Sequence, residues 1–426
     1  MNTLAPTGTK HSTDLSGPTS VSLRTIAMVV MLFTVLLSTG ISCAEDKSDS
    51  SAEDRLVAFE FRIAGDELRT RIVMEFESKP DFSYHLLATP HRLVVDLPET
   101  HFGFPEKTAK ARGLLSDIRY GAMAPGRSRI VFTAIGPVKS EMAEVKKNDA
   151  DGTYRLVFDL AATSDQEFAS LVGQQRWDPS SSDEATKPQN KPAKSDKSFT
   201  VAIDPGHGGI DTGAKGRNGA QEKDITLAVG LALKTALERD TDIHVVLTRD
   251  ADAFVSLSER VRRARQHSAD MFVSIHADSI RVKGVRGATV YTLSEKASDQ
   301  MAHQLAAQEN RSDLIAGLSL EDEPDTVADI LIDLTRRETQ VFSDSLAGAV
   351  IGAFDGSVKL INNPHRSAGF RVLRAPEVPS VLVELGYLSN IEDEKLLSDP
   401  KWRERTAELL VTAIGAYRKK VTGVSN

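Results

Sequence analysis

The chain has 426 residues, which is too many for one ordinary hydrophobic core, so we expect two domains joined by a linker. Hydrophobic residues make up 40% of the chain and charged residues 26%, a composition typical of globular proteins. The formal net charge of -8 argues against nucleic-acid binding, which requires a basic face. The sequence has no apolar stretch of about 20 residues that would form a conventional transmembrane helix.

Residues 1–44 are predicted to be a cleavable signal peptide. The apolar run 26–37 has the length of a signal-peptide core, and small residues at 42–44 would allow cleavage after residue 44. We therefore expect export to the periplasm without stable membrane insertion after cleavage. An uncleaved anchor remains an alternative, and Cys43 raises lipoprotein processing, although residues 40–42 fit a lipobox poorly. Cys43 is the only cysteine, so the mature chain would suit an oxidising compartment.

Residues 55–165 are predicted to form a small all-β sandwich. Short runs of alternating apolar and polar residues recur between turn residues, at 57–63, 69–76, 92–97, 128–134 and 154–160. Alternation with a period of two predicts half-buried strands, and their spacing favours an antiparallel sandwich. The histidines of this region are scattered, so we expect them at the surface or at sheet edges rather than in a site: His85, His91 and His101.

The composition changes after this region. Residues 173–197 are mostly polar and include several prolines, so they are predicted to be a flexible linker. Residues 199–421 then alternate between strand-like and helix-like runs, which predicts an α/β domain with a mostly parallel sheet and helices on both faces. Residues 295–345 interrupt this alternation with charged, helix-like sequence, and we expect a helical insertion with a function.

Two histidines and a glutamate in the second domain form a candidate metal-binding set. His207 lies in a glycine-rich turn, Glu222 opens a predicted helix, and His276 ends a predicted strand two residues before Asp278. Two imidazoles and one carboxylate leave the fourth position of a zinc ion open for water, as in catalytic zinc sites. Taken singly, the histidine also fits a structural role in the turn, and the glutamate fits a partner of the helix dipole.

Glu384 is a carboxylate in an unusual environment. It lies within VLVEL (381–385), a predicted buried strand, where an unpaired charge is very costly. We therefore expect Glu384 to face a cation, a partner that shares its proton, or a catalytic cleft.

The fragments IDPGHGG (203–209), AQEKD around Glu222, SIHAD (274–278) and VPSVLVELGYLSN (378–390) occur in this order. Together they closely resemble the zinc-dependent N-acetylmuramoyl-L-alanine amidases of the Amidase_3 family, and the resemblance covers 199–421. It implies a hydrolase that cleaves the amide between N-acetylmuramic acid and L-alanine of the peptidoglycan stem peptide. It also implies that His207, Glu222 and His276 bind Zn²⁺ and that Glu384 is the catalytic glutamate.

The same resemblance extends to the other parts of the chain. The sandwich resembles an AMIN domain, the envelope-targeting module of AmiC- and AmiB-like amidases used in daughter-cell separation. In AmiB-like members a helix with a Glu-Asn pair covers the active site until a LytM-type activator displaces it, and LAAQENRSDLIAG (305–317) resembles that helix. This nominates Glu309 as a regulatory residue that occupies the zinc. Without the resemblance, a solvated glutamate on a helix surface would be favoured.

Two other functions compete with this prediction. A glycosidase could use two carboxylates such as Asp204 and Glu384, but it would leave the two histidines and the helix-opening glutamate unexplained. A catalytically inactive regulator that binds the cell wall is the remaining alternative. It is disfavoured because a degenerate site should have lost at least one member of the set.

Overall fold

The structure is a computed structural model that describes residues 55–175, 199–282, 284–318 and 330–423, with side chains omitted for 330–336. The predicted signal peptide at 1–44 lies outside the described residues, and so does the predicted linker apart from its first three positions. From residue 55 onward the described chain forms one compact unit.

Residues 55–175 form two packed sheets followed by a helix, with strand orders β5-β1-β2-β9-β8 and β3-β4-β7-β6. Paired strands are antiparallel, apart from the parallel pair of β1 and β5. The predicted all-β architecture is therefore confirmed for this part of the chain. The elements are β1 (Leu56–Gly65), β2 (Arg69–Phe76), β3 (Ser83–Leu87), β4 (Arg92–Pro98), β5 (Thr100–Phe102), β6 (Leu115–Ala124), β7 (Arg127–Ala134), β8 (Val138–Lys147), β9 (Tyr154–Ala162) and α1 (Asp165–Gln174).

Strands β4 and β7 are buried on both faces, which differs from the predicted half-burial. Leu93 of β4 and Phe132 of β7 point into the core between the two sheets. Val94 and Val131 point away from that core, yet they are 0% and 1% exposed. A part of the chain outside the sandwich must therefore cover the outer face of β4 and β7.

The second part of the chain is built on a six-stranded sheet with the order β11-β10-β12-β15-β13-β14. Strands β11, β10, β12 and β15 run parallel, whereas β13 is antiparallel to β15 and parallel to β14. The predicted mostly parallel sheet is thus confirmed, with one reversal of direction at β13. The strands are β10 (Phe199–Pro205), β11 (Ile243–Leu247), β12 (Met271–His276), β13 (Ala288–Leu293), β14 (Leu360–Ala368) and β15 (Ser380–Glu384).

Helices cover both faces of this sheet, as predicted. One face packs against three long helices, through buried residues such as Val229, Val350 and Leu410. The opposite face packs against helices that contribute Ala264 and Leu305. The helices are α2 (Glu222–Leu237), α3 (Leu257–Gln266), α4 (Gln300–Glu309), α5 (Ser312–Ile315), α6 (Ile330–Phe354), α7 (Ile391–Ser398) and α8 (Pro400–Thr422).

The predicted insertion at 295–345 contains α4 and α5, whereas α6 begins inside it and continues to Phe354. The C-terminal half of α6 belongs to the domain core, since Leu346 and Val350 are fully buried there. The C-terminal boundary predicted for the insertion, residue 345, therefore lies within α6.

Candidate metal centre

Three neighbouring parallel strands bring the predicted site residues to one edge of the sheet. β12 ends at His276 and β15 ends at Glu384, and these two residues are direct partners in the register of the strand pair. His207 follows the end of β10 by two positions, and Glu222 is the first residue of α2. Carboxyl ends of parallel strands are the usual place for a site in an open α/β sheet.

The side chains of His207, Glu222 and His276 converge. Glu222 Oε2 lies 3.1 Å from His207 Nε2, and Glu222 Oε1 lies 3.2 Å from His276 Nδ1. The two oxygens of Glu222 also accept hydrogen bonds from the backbone N–H groups of Ala214, at 2.9 Å, and Ala277, at 2.8 Å. These bonds fix the orientation of the fully buried carboxylate between the two imidazoles.

Glu309, at the end of α4, reaches the same point. Its Oε2 lies 3.4 Å from His207 Nε2 and 3.1 Å from His276 Nδ1. One ligand atom from each of these three residues lies within 4.8 Å of the other two, a spacing that could hold a metal ion. Glu309 is only 5% exposed, so it is not the solvated surface glutamate that its sequence context alone would favour.

The hydrogen bonding of His207 suits a metal ligand. Its Nδ1 lies 2.9 Å from Asp211 Oδ2, and a carboxylate in this position holds a proton on Nδ1, so Nε2 is the nitrogen that would bind a metal ion. His207 Nε2 is buried and makes no hydrogen bond to any described residue. An unsatisfied imidazole nitrogen opposite two carboxylates fits a zinc ion, which prefers these ligand types.

Charges inside the centre shift the pKa values of its members in opposite directions. Burial raises the pKa of Glu222, but the charge of His207 and the contacts with His207 and His276 together outweigh burial and hold this pKa well below its usual range. Burial lowers the pKa of His207, but the charge of Glu222 and those of neighbouring carboxylates raise it well above its usual value. Burial and then the charge of Asp278 raise the pKa of Glu309. The centre therefore holds excess negative charge that a cation would relieve.

Glu384 is fully buried beside this cluster. Its Oε2 accepts a hydrogen bond from the backbone N–H of Asp278 at 3.0 Å, while its Oε1 has no hydrogen-bond partner among the described residues. Burial raises the pKa of Glu384 well above its usual range, and the charges of Asp278 and Glu222 raise it further. Glu384 is therefore a carboxyl group of raised pKa, with one oxygen held by a hydrogen bond and the other buried without a partner among the described residues.

Asp204, the second carboxylate of the competing glycosidase prediction, has a structural environment. It is fully buried, and it accepts hydrogen bonds from Arg260 at 2.7 Å, Thr248 at 2.5 Å and Ser274 at 2.6 Å. Burial raises the pKa of Asp204, but the charge of Arg260 and these hydrogen bonds lower it below its usual value. A carboxylate saturated in this way is poorly suited to act as an acid or a nucleophile.

Gly206 allows the close approach of the two histidine-bearing segments. A Cβ atom on Gly206 would lie 2.4 Å from Cε1 of His276, so no larger residue fits without displacing the ring. His207 itself adopts a φ of 59°, a left-handed conformation that is rare outside glycine and that concentrates at functional sites.

Several residues that contact the cluster were not identified from the sequence. Asp211 orients His207 and also accepts a hydrogen bond from Ser312 Oγ at 2.5 Å. Gln308 donates a hydrogen bond to Asp278 Oδ1. The only sequence signal for Asp211 is its place four positions after His207, and nothing in the sequence pairs it with α5.

Residues 201–416 match the family model described as N-acetylmuramoyl-L-alanine amidase, and residues 58–160 match that of the AMIN domain. The chain is 31% identical over 361 residues to the N-acetylmuramoyl-L-alanine amidase AmiC of Escherichia coli O6:H1 (strain CFT073), covering 82% of this chain and 86% of the relative. It is 31% identical over 363 residues to AmiC of Neisseria meningitidis serogroup B, with coverage of 82% and 86%. It is 39% identical over 233 residues to AmiA of Escherichia coli K12, which covers 54% of this chain and 80% of that protein.

Proposed function

This chain belongs to the N-acetylmuramoyl-L-alanine amidase family, and from that premise we propose that it is a zinc-dependent hydrolase of peptidoglycan. The proposed zinc ligands are His207, Glu222 and His276, and the proposed catalytic residue is Glu384. The observation that carries this proposal is the convergence of Glu222 on both imidazole nitrogens, at 3.1 and 3.2 Å. The bond cleaved would join the lactyl group of N-acetylmuramic acid to L-alanine of the stem peptide.

The chemistry follows from the residues around the proposed ion. When bound, zinc lowers the pKa of a water molecule and polarises a carbonyl group. Glu384 Oε1 would take the proton of the attacking water, because this oxygen has no hydrogen-bond partner among the described residues and burial raises the pKa of its carboxyl group. The same carboxyl group returns a proton to the leaving L-alanine nitrogen. The N–H of Asp278 keeps Glu384 in place through its other oxygen.

We further propose that the described structure is the inhibited state of the enzyme. The inhibitory segment, defined here as residues 300–318, comprises α4, α5 and the turn that follows. Its Glu309 would fill the position of zinc that water and substrate require, since its Oε2 lies 3.1 Å from His276 Nδ1. Asn310 anchors the end of α4, because its side chain donates to Gly369 O at 2.9 Å and accepts from Arg371 N at 2.8 Å.

The biological setting is proposed from the sequence and the family. We infer export to the periplasm, targeting to peptidoglycan by the sandwich, and release of the inhibitory segment by a LytM-type activator during daughter-cell separation. Within the described residues, the helices are too short or too polar to cross a membrane. The predicted signal peptide lies among residues that are not described.

Digestion of purified sacculi tests the reaction directly. The Glu309→Ala variant is used beside the wild type, so that inhibition does not hide the activity. We expect new L-alanine amino termini that disappear when a chelator is present and return with added Zn²⁺. New reducing sugar ends would indicate a glycosidase, and no new ends from either protein would indicate a wall-binding regulator without activity.

A further inference from the structure

The outer face of β4 and β7 is covered by the inhibitory segment. Val94 and Val131 form an apolar cluster with Ala316 and Leu318, which follow α5, and with Phe254 of the amidase part. This cluster is separate from the core between the two sheets of the sandwich. The second face of the sandwich sheet is thus an interdomain contact surface.

Two arginines of the same face bind the backbone of the inhibitory segment. Arg92 Nη1 donates hydrogen bonds to Leu314 O at 2.6 Å and to Leu318 O at 3.3 Å. Arg129 Nη1 donates to Ala316 O at 3.1 Å. Carbonyl groups at the end of a helix lack partners inside the helix, and cationic donors stabilise them. The arginines therefore cap the C-terminal end of α5.

Both arginines are held rigidly for this contact. Arg129 is 2% exposed and forms a two-point ion pair with Asp96, with distances of 2.6 and 3.2 Å. Arg92 is 1% exposed, and its Nε also donates to Pro90 O at 3.3 Å. Since buried guanidinium groups require acceptors, loss of the inhibitory segment would leave part of each group without protein partners.

Gly317 brings the segment against the sandwich. Its φ is 76°, and a Cβ atom there would lie 2.9 Å from Cγ2 of Val94 and 3.1 Å from Cγ2 of Val131. A side chain at this position would therefore both strain the turn and push it away from the sheet.

One short stretch of the inhibitory segment, residues 309–318, contacts both the metal centre and the sandwich. Glu309 lies at the end of α4, and only residues 310–311 separate it from α5. Ser312 at the start of α5 donates to Asp211, the partner of His207, and Asp313 Oδ1 accepts from Leu257 N at 2.9 Å. Movement of α5 away from the sandwich would therefore disturb the hydrogen bonds of Ser312 and Asp313, which help to hold Glu309 in place.

We propose that the sandwich is a second anchor of the inhibitory segment and that full opening of the active site requires residues 314–318 to leave the β4–β7 face. The inference rests on the proposed inhibitory role of Glu309. It gives the sandwich a regulatory task besides wall targeting, because any ligand that competes for this face would favour the open enzyme.

The test compares full-length variants for hydrolysis of purified sacculi without an activator. Arg92→Gln/Val94→Asn disrupts the β4–β7 face, while both side chains point away from the sandwich core. The matched control is Arg71→Gln/Val157→Asn, because Arg71 pairs with Asp159 and Val157 also lies outside that core, on the other sheet. We expect the first variant to raise the basal rate about fivefold or more and the control to leave it unchanged.

A second variant and a second measurement guard against misfolding of the sandwich. Gly317→Ala leaves the sandwich sequence intact and should also raise the basal rate. Hydrogen exchange of amides 312–318 should become faster in both test variants and stay slow in the control. Thermal unfolding and sacculus binding establish that the variants are folded.

Comparison with Glu309→Ala separates the two proposals. If Glu309→Ala raises the basal rate and the β4–β7 and Gly317 variants do not, the second anchor is wrong and inhibition by Glu309 stands. If none of the variants raises the rate of an otherwise active enzyme, inhibition by Glu309 is wrong and the second anchor falls with it.

Discussion

Removing either imidazole should remove the metal. In His207→Ala or His276→Ala, a zinc ion would keep only one nitrogen ligand beside Glu222, so stoichiometric zinc should be lost from the purified protein. Elemental analysis measures this directly. His365→Ala is the control, because His365 lies on β14 with its side chain 40% exposed. One equivalent of zinc in the His207/His276 double variant would contradict the ligand assignment.

Replacing Glu384 should separate metal binding from catalysis. Glu384→Gln preserves the shape of the side chain but removes the proton acceptor, so turnover should fall on the order of 10²-fold or more while zinc is retained. The measurement is made in the Glu309→Ala background, where the inhibitory carboxylate is absent. Near-normal turnover in that background would show that another group takes the proton.

Asp211 should tune zinc affinity without being a ligand. Asp211→Asn keeps a hydrogen-bond acceptor near His207 Nδ1 but removes the charge that stabilises the ligating tautomer, so zinc affinity should fall about 10- to 100-fold. Competition with a chelator, again in the Glu309→Ala background, measures this loss. Asp252→Asn is the control, since Asp252 binds Lys223 and Gly209 N rather than a histidine. Equal zinc affinity with and without Asp211→Asn in that background would contradict the orienting role.

Glu384 was predicted from the sequence and Asp211 was not, and the reason lies in their sequence contexts. A carboxylate inside an apolar strand is visible as an anomaly, and the histidines follow strands that the hydrophobic pattern marks. Their convergence was therefore expected, although their roles remain proposals. Asp211 has no such signal, because its contact with His207 depends on the conformation of the turn and its contact with Ser312 exists only after α5 has packed over that turn.

At the scale of elements, helix α4 should inhibit the enzyme reversibly by placing Glu309 in the active site. Glu309→Ala removes the carboxylate that lies 3.4 and 3.1 Å from the two imidazoles, so basal hydrolysis of sacculi should rise while zinc remains bound. Gln304→Ala is the matched control, because Gln304 lies on the exposed face of the same helix. An unchanged basal rate in Glu309→Ala, with a wild type already fully active, would make the segment an ordinary structural element.

Strand burial was the part of the fold that the sequence predicted least well. Alternation in β4 and β7 marked one buried face, but the partner of the other face lies about 200 residues later in the chain, at 314–318. His85, expected at the surface or a sheet edge, lies on edge strand β3 but is only 3% exposed. Burial lowers its pKa to about 4, and the charge of Arg129 contributes, so this histidine is neutral at pH 7.

At the scale of the whole molecule, the sandwich and the amidase part have separate cores but contact each other directly. The amidase part has its own apolar clusters on both faces of its sheet, so it does not need the sandwich to form a core. To the inhibitory segment the sandwich adds the contacts of Arg92, Val94 and Arg129 with the end of α5. The sandwich would therefore contribute both to wall binding and to inhibition.

Deleting residues 55–175, together with the segment that follows up to residue 198, should therefore have two separable effects. The remaining domain should no longer sediment with sacculi, because the proposed targeting module is gone. Its rate on soluble muropeptides should exceed that of the full-length chain and approach that of full-length Glu309→Ala, because the caps on α5 are lost. Zinc content and thermal unfolding provide the controls for an intact domain.

Continued binding to sacculi would contradict the targeting role. A basal rate that stays low until Glu309→Ala is added to the truncated domain would show that α4 holds its place without the sandwich.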